Sequence, residues 1–559
     1  MLLGAVFERE VAFAPRARGL YVARAVYAVS LLAIIATCWL VVTGTQSVVS
    51  AGDTARFGAT LMRTLAPLQL TLAMLAAALT GVVAVSTEKD RRTLELLLVS
   101  RLTDRELVLG KLAASLVRVL LILLAAVPMF AIAALFGGVT PAQVARMFLV
   151  TVAAALAAAS IATTVAFWKD TTFQALAITL FALAAWLAVG ETVAGWRGAA
   201  AAASVSPARA VFAALAPTGS TAIPRFLGTC AVLVVVANAV AILRVRAWNV
   251  AREARSRPSS AKAGAGAARR PARVVWDNPI LWRETCTRAY GRMIVVVRLA
   301  WLLLFAGAVA AIYREAANPR PDKLAVAVAV IPMVLASLVA VTALAVTSIT
   351  TERDRGSLDL LLVSDLEPGE FVWGKLLGVL AVAREIVLLP LLACGALAFA
   401  GIATVEEAVC LAAGLAVLLF FAAVLGFHVG LSYDSSRRAI AVALGTVTFL
   451  FVGVATAMRI MIAFGSSFEL QLAPFLAVIV GGAIGLYAAL SARNPSPAIG
   501  WASALLPALT FVAITSFLQG NILQVLLVAL AAYGFATVAL LVPAIGAFDL
   551  LTGRTTSAD

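Results

Sequence analysis

TEKDRRTLELLLVSRLTDRELVLGKL, residues 87–112, returns as TERDRGSLDLLLVSDLEPGEFVWGKL at residues 351–376. Aligned without a gap, 16 of the 26 positions are identical, which within one chain marks an internal repeat. Both copies are charged islands in an oily sequence. A polar module used twice between apolar runs organises everything around it.

The surroundings are apolar enough to fix the class. Of 559 residues 63% are hydrophobic and only 13% charged, against about half and a quarter in a soluble domain. A span needs about 20 mostly apolar residues to cross roughly 30 Å of hydrocarbon, and the chain offers about twelve or more such runs. They are Leu/Ala/Val-rich and continuous, unlike the alternating ten-residue strands of a β-barrel. The expected fold is therefore an all-α polytopic membrane protein.

The net charge of +15 does not point to nucleic acid. About 31 of the 43 Lys and Arg fall in loops assigned to the cytoplasm and about 10 outside, as the positive-inside rule expects. Cys38, Cys230, Cys286, Cys394 and Cys410 are scattered without a Cys-x-x-Cys pair, and His428 is the only histidine. Neither a disulfide framework nor a metal site is indicated.

Working outward, residues 1–20 read as an amphipathic helix lying on the membrane before the first span, with Arg9 and Glu10 among its charges. Spans are expected at 21–43, 67–86, 112–137, 144–167, 172–190 and 226–247. Loops at 44–66 and 191–225 face outward, the second with a short apolar run at 208–215. Residues 248–275 are basic and low in complexity, a composition with too little to bury.

The plan then restarts. Trp282, Arg283 and Glu284 precede the next span as Arg9 and Glu10 precede the first. Spans are expected at 294–313, 324–350, 376–401, 408–431 and 438–462, with further apolar runs at 470–490, 498–518 and 523–547. The expected domains are thus 1–247 with six spans, the linker 248–275, and 276–559 with six to eight. An even number in the first half, with a cytoplasmic linker, orients both halves alike and puts both termini inside.

Within each module Glu88, Arg91 and Glu95, and likewise Glu352, Arg355 and Asp359, stand three and four residues apart. On one helix they would share a face, each opposite-charge pair contributing about 0.2–0.5 kcal/mol. Leu94, Leu97 and Leu98 line another face, matched by Leu358, Leu361 and Leu362. The pattern predicts one amphipathic helix of about three turns, roughly 18 Å long. A second helix starts at Thr103 with Glu106 as a capping box, and at Pro368 with Glu370 in the other copy. Gly110-Lys111 and Gly374-Lys375 lead into the next span, and Arg118 and Arg384-Glu385 are expected at its interface with water.

At these residues the chain resembles an ABC transporter permease of the type-2 exporter class. That family carries a Glu-x-x-x-Gly-Thr-Leu-Glu segment, leucines, and a helix ending in Gly-Lys-Leu, between the second and third spans of a six-span domain. Asn278-Pro279-Ile280-Leu281-Trp282-Arg283-Glu284 looks like the family's interfacial helix. The resemblance implies that elbows 87–111 and 351–375 are coupling helices, docked on a separate ATP-binding subunit through the twelve residues named in the modules. The first copy departs from the pattern with Arg92 where the family has glycine, and its N-terminus lacks Asn-Pro.

No stretch reads Gly-x-x-x-x-Gly-Lys-[Ser/Thr], the phosphate-cradling loop. The expectation is a non-enzymatic permease with no cofactor of its own. ATP and Mg²⁺ would enter through two copies of an ABC-type ATPase, in a bacterial inner membrane, with the bilayer as the other partner and no nucleic acid. A non-transporting regulator of the same fold is the main alternative. A secondary transporter is disfavoured, since the repeat is parallel and the spans hold almost no acid.

Overall fold

The computed structural model describes residues 7–8, 18–45, 50–91, 93–169, 172–197, 199–217, 221–249, 276–286, 294–318, 323–354, 356–363, 366–464, 468–493, 495–546 and 548. The expectations for Arg9, Glu10, the linker and Arg355 lie outside these residues, as do those for the side chains of Asp359 and Leu362. Among the described residues there is no strand. Nine helices are long and apolar enough to cross a membrane, ten if one bent pair counts as a single span. The protein is an all-α, multi-pass membrane protein.

The first half runs α1 (Arg18–Thr45), α2 (Ala51–Asp90), the short α3 (Thr93–Val99), α4 (Asp104–Leu135), α5 (Pro141–Trp168), α6 (Thr172–Arg197), α7 (Pro207–Ala214) and α8 (Ala222–Trp248). The expected loop at 44–66 is a correction. Ser50 and Asp53 form a capping box that starts α2 at residue 51, so the helix has 40 residues, about 60 Å at 1.5 Å per residue. The run at 208–215 is α7, started by the Ser206 cap, with Ala210, Val211 and Ala214 buried.

The second half runs α9 (Pro279–Cys286), α10 (Ile294–Ala316), α11 (Lys323–Asp354), α12 (Ser357–Leu362), α13 (Pro368–Val382), α14 (Arg384–Phe399), α15 (Val405–Ser432), α16 (Ser436–Thr448), α17 (Val454–Phe464), α18 (Phe468–Leu490), α19 (Pro497–Leu518) and α20 (Ile522–Gly546). A π-helical turn, Phe449–Gly453, joins α16 to α17. Helices α13 and α14 are bent by 63° at their junction.

Packing pairs the halves element by element. In the first, α5 packs against α2 and α8; in the second, α15 packs against α11 and α20. Helix α20 therefore holds the place of α8, and α18 and α19 are a pair inserted before it. The buried faces are small: Ala154, Ala155, Ala157, Ala158, Ala159 and Ala162 are all almost fully covered on α5. Small side chains let helix backbones approach closely in a membrane. Between halves, α6 packs against α10 and α11, while α1 and α2 meet α17.

Candidate functional site

The two modules lie where α2 and α11 end, and the polar groups there are spent on a repeated set of contacts. Lys111 is buried in α4 and its Nζ donates to Glu88 Oε1 at 2.5 Å. Lys375, buried in α13, stands 2.7 Å from Glu352 and 2.7 Å from Glu284, and reaches the Ser348 carbonyl at 3.3 Å. Three acceptors meet the three donors of an ammonium group. The shared lysine–glutamate pair is displaced by 264 positions, as 352 follows 88 and 375 follows 111, while Glu284 and Ser348 join Lys375 in the second copy.

That interval recurs. Lys89 donates to the carbonyls of Phe167 and Lys169 at 2.6 and 2.9 Å. Arg353 donates to the carbonyls of Leu431 and Tyr433 at 3.3 and 2.5 Å. In both halves a cation covers carbonyls left open at the C-terminus of a neighbouring helix. Thr172 donates to Asp90 at 3.0 Å and Ser436 to Asp354 at 2.6 Å. Even the far turns keep step, with capping boxes Thr140/Gln143 and Thr404/Glu407.

These contacts revise the expected elbow helix. The segment is not one helix. Glu88 belongs to the last turn of α2, Arg91 is its C-cap, and α3 starts afresh at Thr93 with seven residues. In the second copy the break lies at Gly356, whose φ of +68° is open to glycine at little cost and not to most side chains. Glu88, Arg91 and Glu95 therefore do not form one charged stripe. Glu88 and Glu352 are taken by the buried lysines, while Arg91 and Glu95 are exposed.

The leucine expectation also changes. Leu94 and Leu358 are buried in this chain's own core, and Leu97, Leu98 and Leu361 pack against it half-buried. Leu94 and Leu358 have no free surface left to offer, while Leu97, Leu98 and Leu361 keep part of theirs. Four residues the pattern did not single out are bare instead: Leu96 (72% exposed), Val99 (87%), Leu360 (76%) and Val363 (88%). In each elbow the two stand three apart, with Val363 in the turn just past the end of α12, and again 264 positions separate the pairs. With both leucine flanks apolar, periodicity alone did not reveal which side the core would take.

Short helix α9 completes the second elbow. Asn278 accepts from Leu281 N–H at 2.9 Å and donates to the Glu370 carbonyl at 2.8 Å, joining α9 to α13. Arg283 bonds Glu284 at 2.9 Å and also Glu352. Burial pushes the Glu284 carboxyl up, but Lys375 and Arg283 outweigh it and hold the group below its ordinary value. Arg283 is burdened by burial too, yet its two carboxylates raise it above the usual value. Trp282 is half-buried beside them. The continuation differs from expectation: α4 runs unbroken to Leu135, but the second copy bends at Ala383. Arg384 and Glu385 follow directly, and Glu385 pairs with Arg298 of α10 at 3.1 Å.

Among the described residues no three His, Cys, Asp or Glu side chains gather into a metal-binding group. The arrangement is mechanical: two charge-locked elbows with bare apolar tips at one end of a helical bundle. Residues 44–216, from the approach to α2 through α7, match the family described as ABC-2 family transporter protein. Over that stretch the chain is similar to an ABC-2 transporter membrane domain. The matched stretch contains the first elbow whole. No curated protein matches the chain. The family match supports a permease subunit of an ABC transporter, a component whose part in transport is non-catalytic in that family.

Proposed function

We propose that this permease fuses both membrane domains of an ATP-driven exporter, residues 1–247 and 276–559 joined by the basic linker 248–275, in a pseudo-twofold pair. Its elbows face the cytoplasm of a bacterial inner membrane, with both termini on that side. Each elbow receives one copy of a separate ABC-type ATPase subunit, which binds ATP and Mg²⁺. Leu96 and Val99, and Leu360 and Val363, are the seats. Glu95 and Arg91 flank the first seat as exposed charges that set register.

The observation that carries this reading is the recurrence of a bare apolar pair at the tip of both elbows. This chain's own core leaves these side chains uncovered, and burying each in a partner is worth about 1.5–3 kcal/mol. The locks Lys111–Glu88 and Lys375–Glu352 would pass force from seat to span. ATP-driven closure does work on the permease only if the seats bind differently in the open and closed states.

The test is to place Asp at both Leu96 and Leu360 and measure ATPase co-purification. The expected result is a loss of about tenfold or more, as about 1.4 kcal/mol is tenfold. Retention at the unmodified level would contradict docking at these tips. Cargo-stimulated ATPase activity in the reconstituted complex separates an exporter from a regulator of the same fold.

A further inference from the structure

The inserted pair α18–α19 has no counterpart in the first half, and its elbow-side end is tied to the turn that the second elbow grips. Arg353 of that elbow donates to the Leu431 and Tyr433 carbonyls, and Asp354 accepts from Ser436. From the same turn, Tyr433 Oη donates to the Ala489 carbonyl at 2.8 Å. Asp434 pairs with Arg493 at 2.5 Å. One turn below, His428, 1% exposed, meets the Leu490 carbonyl through Nε2 at 3.0 Å. A carbonyl only accepts, so Nε2 carries the proton. Three side chains thus tie the end of α18 and Arg493 just past it to α15 and the turn that follows it, which is itself bonded to the elbow.

Further along, α18 lies across the π-helical turn. A Cβ at Gly482 would stand 2.2 Å from the tip of the Phe449 ring, so only glycine admits the ring there. Such turns often mark functional positions. Beyond it α18 packs against α1 of the other half. A small apolar cavity opens at that contact, lined by Ile34 and Cys38 of α1, Met461 of α17, Phe475 and Ile479 of α18, and Phe511 of α19. Ala489 and Phe475 are 14 residues apart on one helix, about 21 Å.

We propose that α18 is a connecting rod. It carries displacement of the second elbow across about 21 Å to the seam between α1 and α17, where it opens or closes the cavity beside Cys38. Tyr433, Asp434 and Arg493 are its positioning residues. The rod rests on the reading of 351–375 as a docking elbow. It makes the seam containing α18 respond to ATP differently from the seam between α6 and α10, which lacks such a helix.

Cys38 supplies the probe. The permease is prepared with Cys230, Cys286, Cys394 and Cys410 changed to Ser, in complex with its ATPase subunit in lipid nanodiscs. Modification of Cys38 by a membrane-permeant methanethiosulfonate is timed without nucleotide and with ATP and vanadate. The expected rates differ by about threefold or more, since the two states must differ in free energy to do work. Tyr433→Phe with Arg493→Ala should collapse that difference while ATPase co-purification is unchanged. The charge exchange Asp434→Arg with Arg493→Asp should restore a good part of it.

A nucleotide-dependent difference that survives Tyr433→Phe with Arg493→Ala overturns the rod. So does an intact complex in which Cys38 reacts equally in both states. If the uncoupled variant is too unstable to purify, the second of these measurements on the parent complex still decides. Failure of the parent permease to hold any ATPase subunit strikes the docking reading instead, so the two failures are distinguishable.

Discussion

Helix α4 and the pair α13–α14 start from nearly the same sequence and end differently. The first runs unbroken from Asp104 to Leu135, while the second turns through 63° at Ala383. Leu120-Leu121 of α4 become Arg384-Glu385 at the same register in the second copy. Glu385 is held sideways by Arg298 of α10. Burying two charges mid-helix would cost roughly 2.5–3.5 kcal/mol each, and a bend with an ion pair avoids that. Below the bend the elbows share a frame of polar contacts at a constant interval; above it the mechanical paths separate. The two copies thus share their polar frame and differ in the helix that leads away from it.

The largest effect that would sharpen this comparison is expected at the buried locks. Lys375→Met leaves Glu284 and Glu352 facing each other with only Arg283, and removing one partner of a buried pair costs about 3–5 kcal/mol. Lys111→Met takes the cation from Glu88, where Lys375→Met takes it from both Glu284 and Glu352, so its loss should be smaller. Thermal unfolding of the two variants in detergent compares them directly, and equal losses would argue that the second lock has no greater weight than the first.

Next comes the break between α11 and α12. Gly356→Ala forces a side chain into the left-handed region, at about 1–2 kcal/mol. Smaller again are the far-end caps: Thr140→Ala and Thr404→Ala should each cost about 1 kcal/mol and match one another, since the two capping boxes correspond. Unequal melting shifts would break the equivalence of the two far ends.

The last prediction concerns pH. The folded Glu284 carboxyl lies below its ordinary value of 4.5. Its contribution is therefore complete above 4.5 and is lost only as pH falls through the depressed value. Glu284→Gln should flatten that acid limb of the melting-temperature profile while leaving neutral pH less affected than Lys375→Met does. An unchanged limb would remove Glu284 from the second lock.

Much of this was legible in the residues. The apolar runs carried the helices, and the repeat carried the elbows, because hydrophobicity and local charge are written directly in order of sequence. The start of α2 at Ala51 was also written there, in Ser50 and Asp53, but a hydropathy reading passes over a polar first turn. Whether Leu94 or Leu96 faces the core was not legible. Both flanks of α3 are leucine, and tertiary packing alone selects between them. The helix break is announced in the second copy by Gly356 and its positive φ, while the first copy has no glycine at that register. The insertion of α18–α19 ahead of the last helix, instead of after it, required knowing what α20 packs against.

Placing both elbows on one polypeptide has a genetic consequence. In a permease assembled from two identical chains, any substitution appears twice, and the two seats cannot diverge. Here Arg92 can become glycine while Gly356 stays, so each seat is separately editable. That freedom lets the two elbows diverge in sequence, as Arg92 and Gly356 have done.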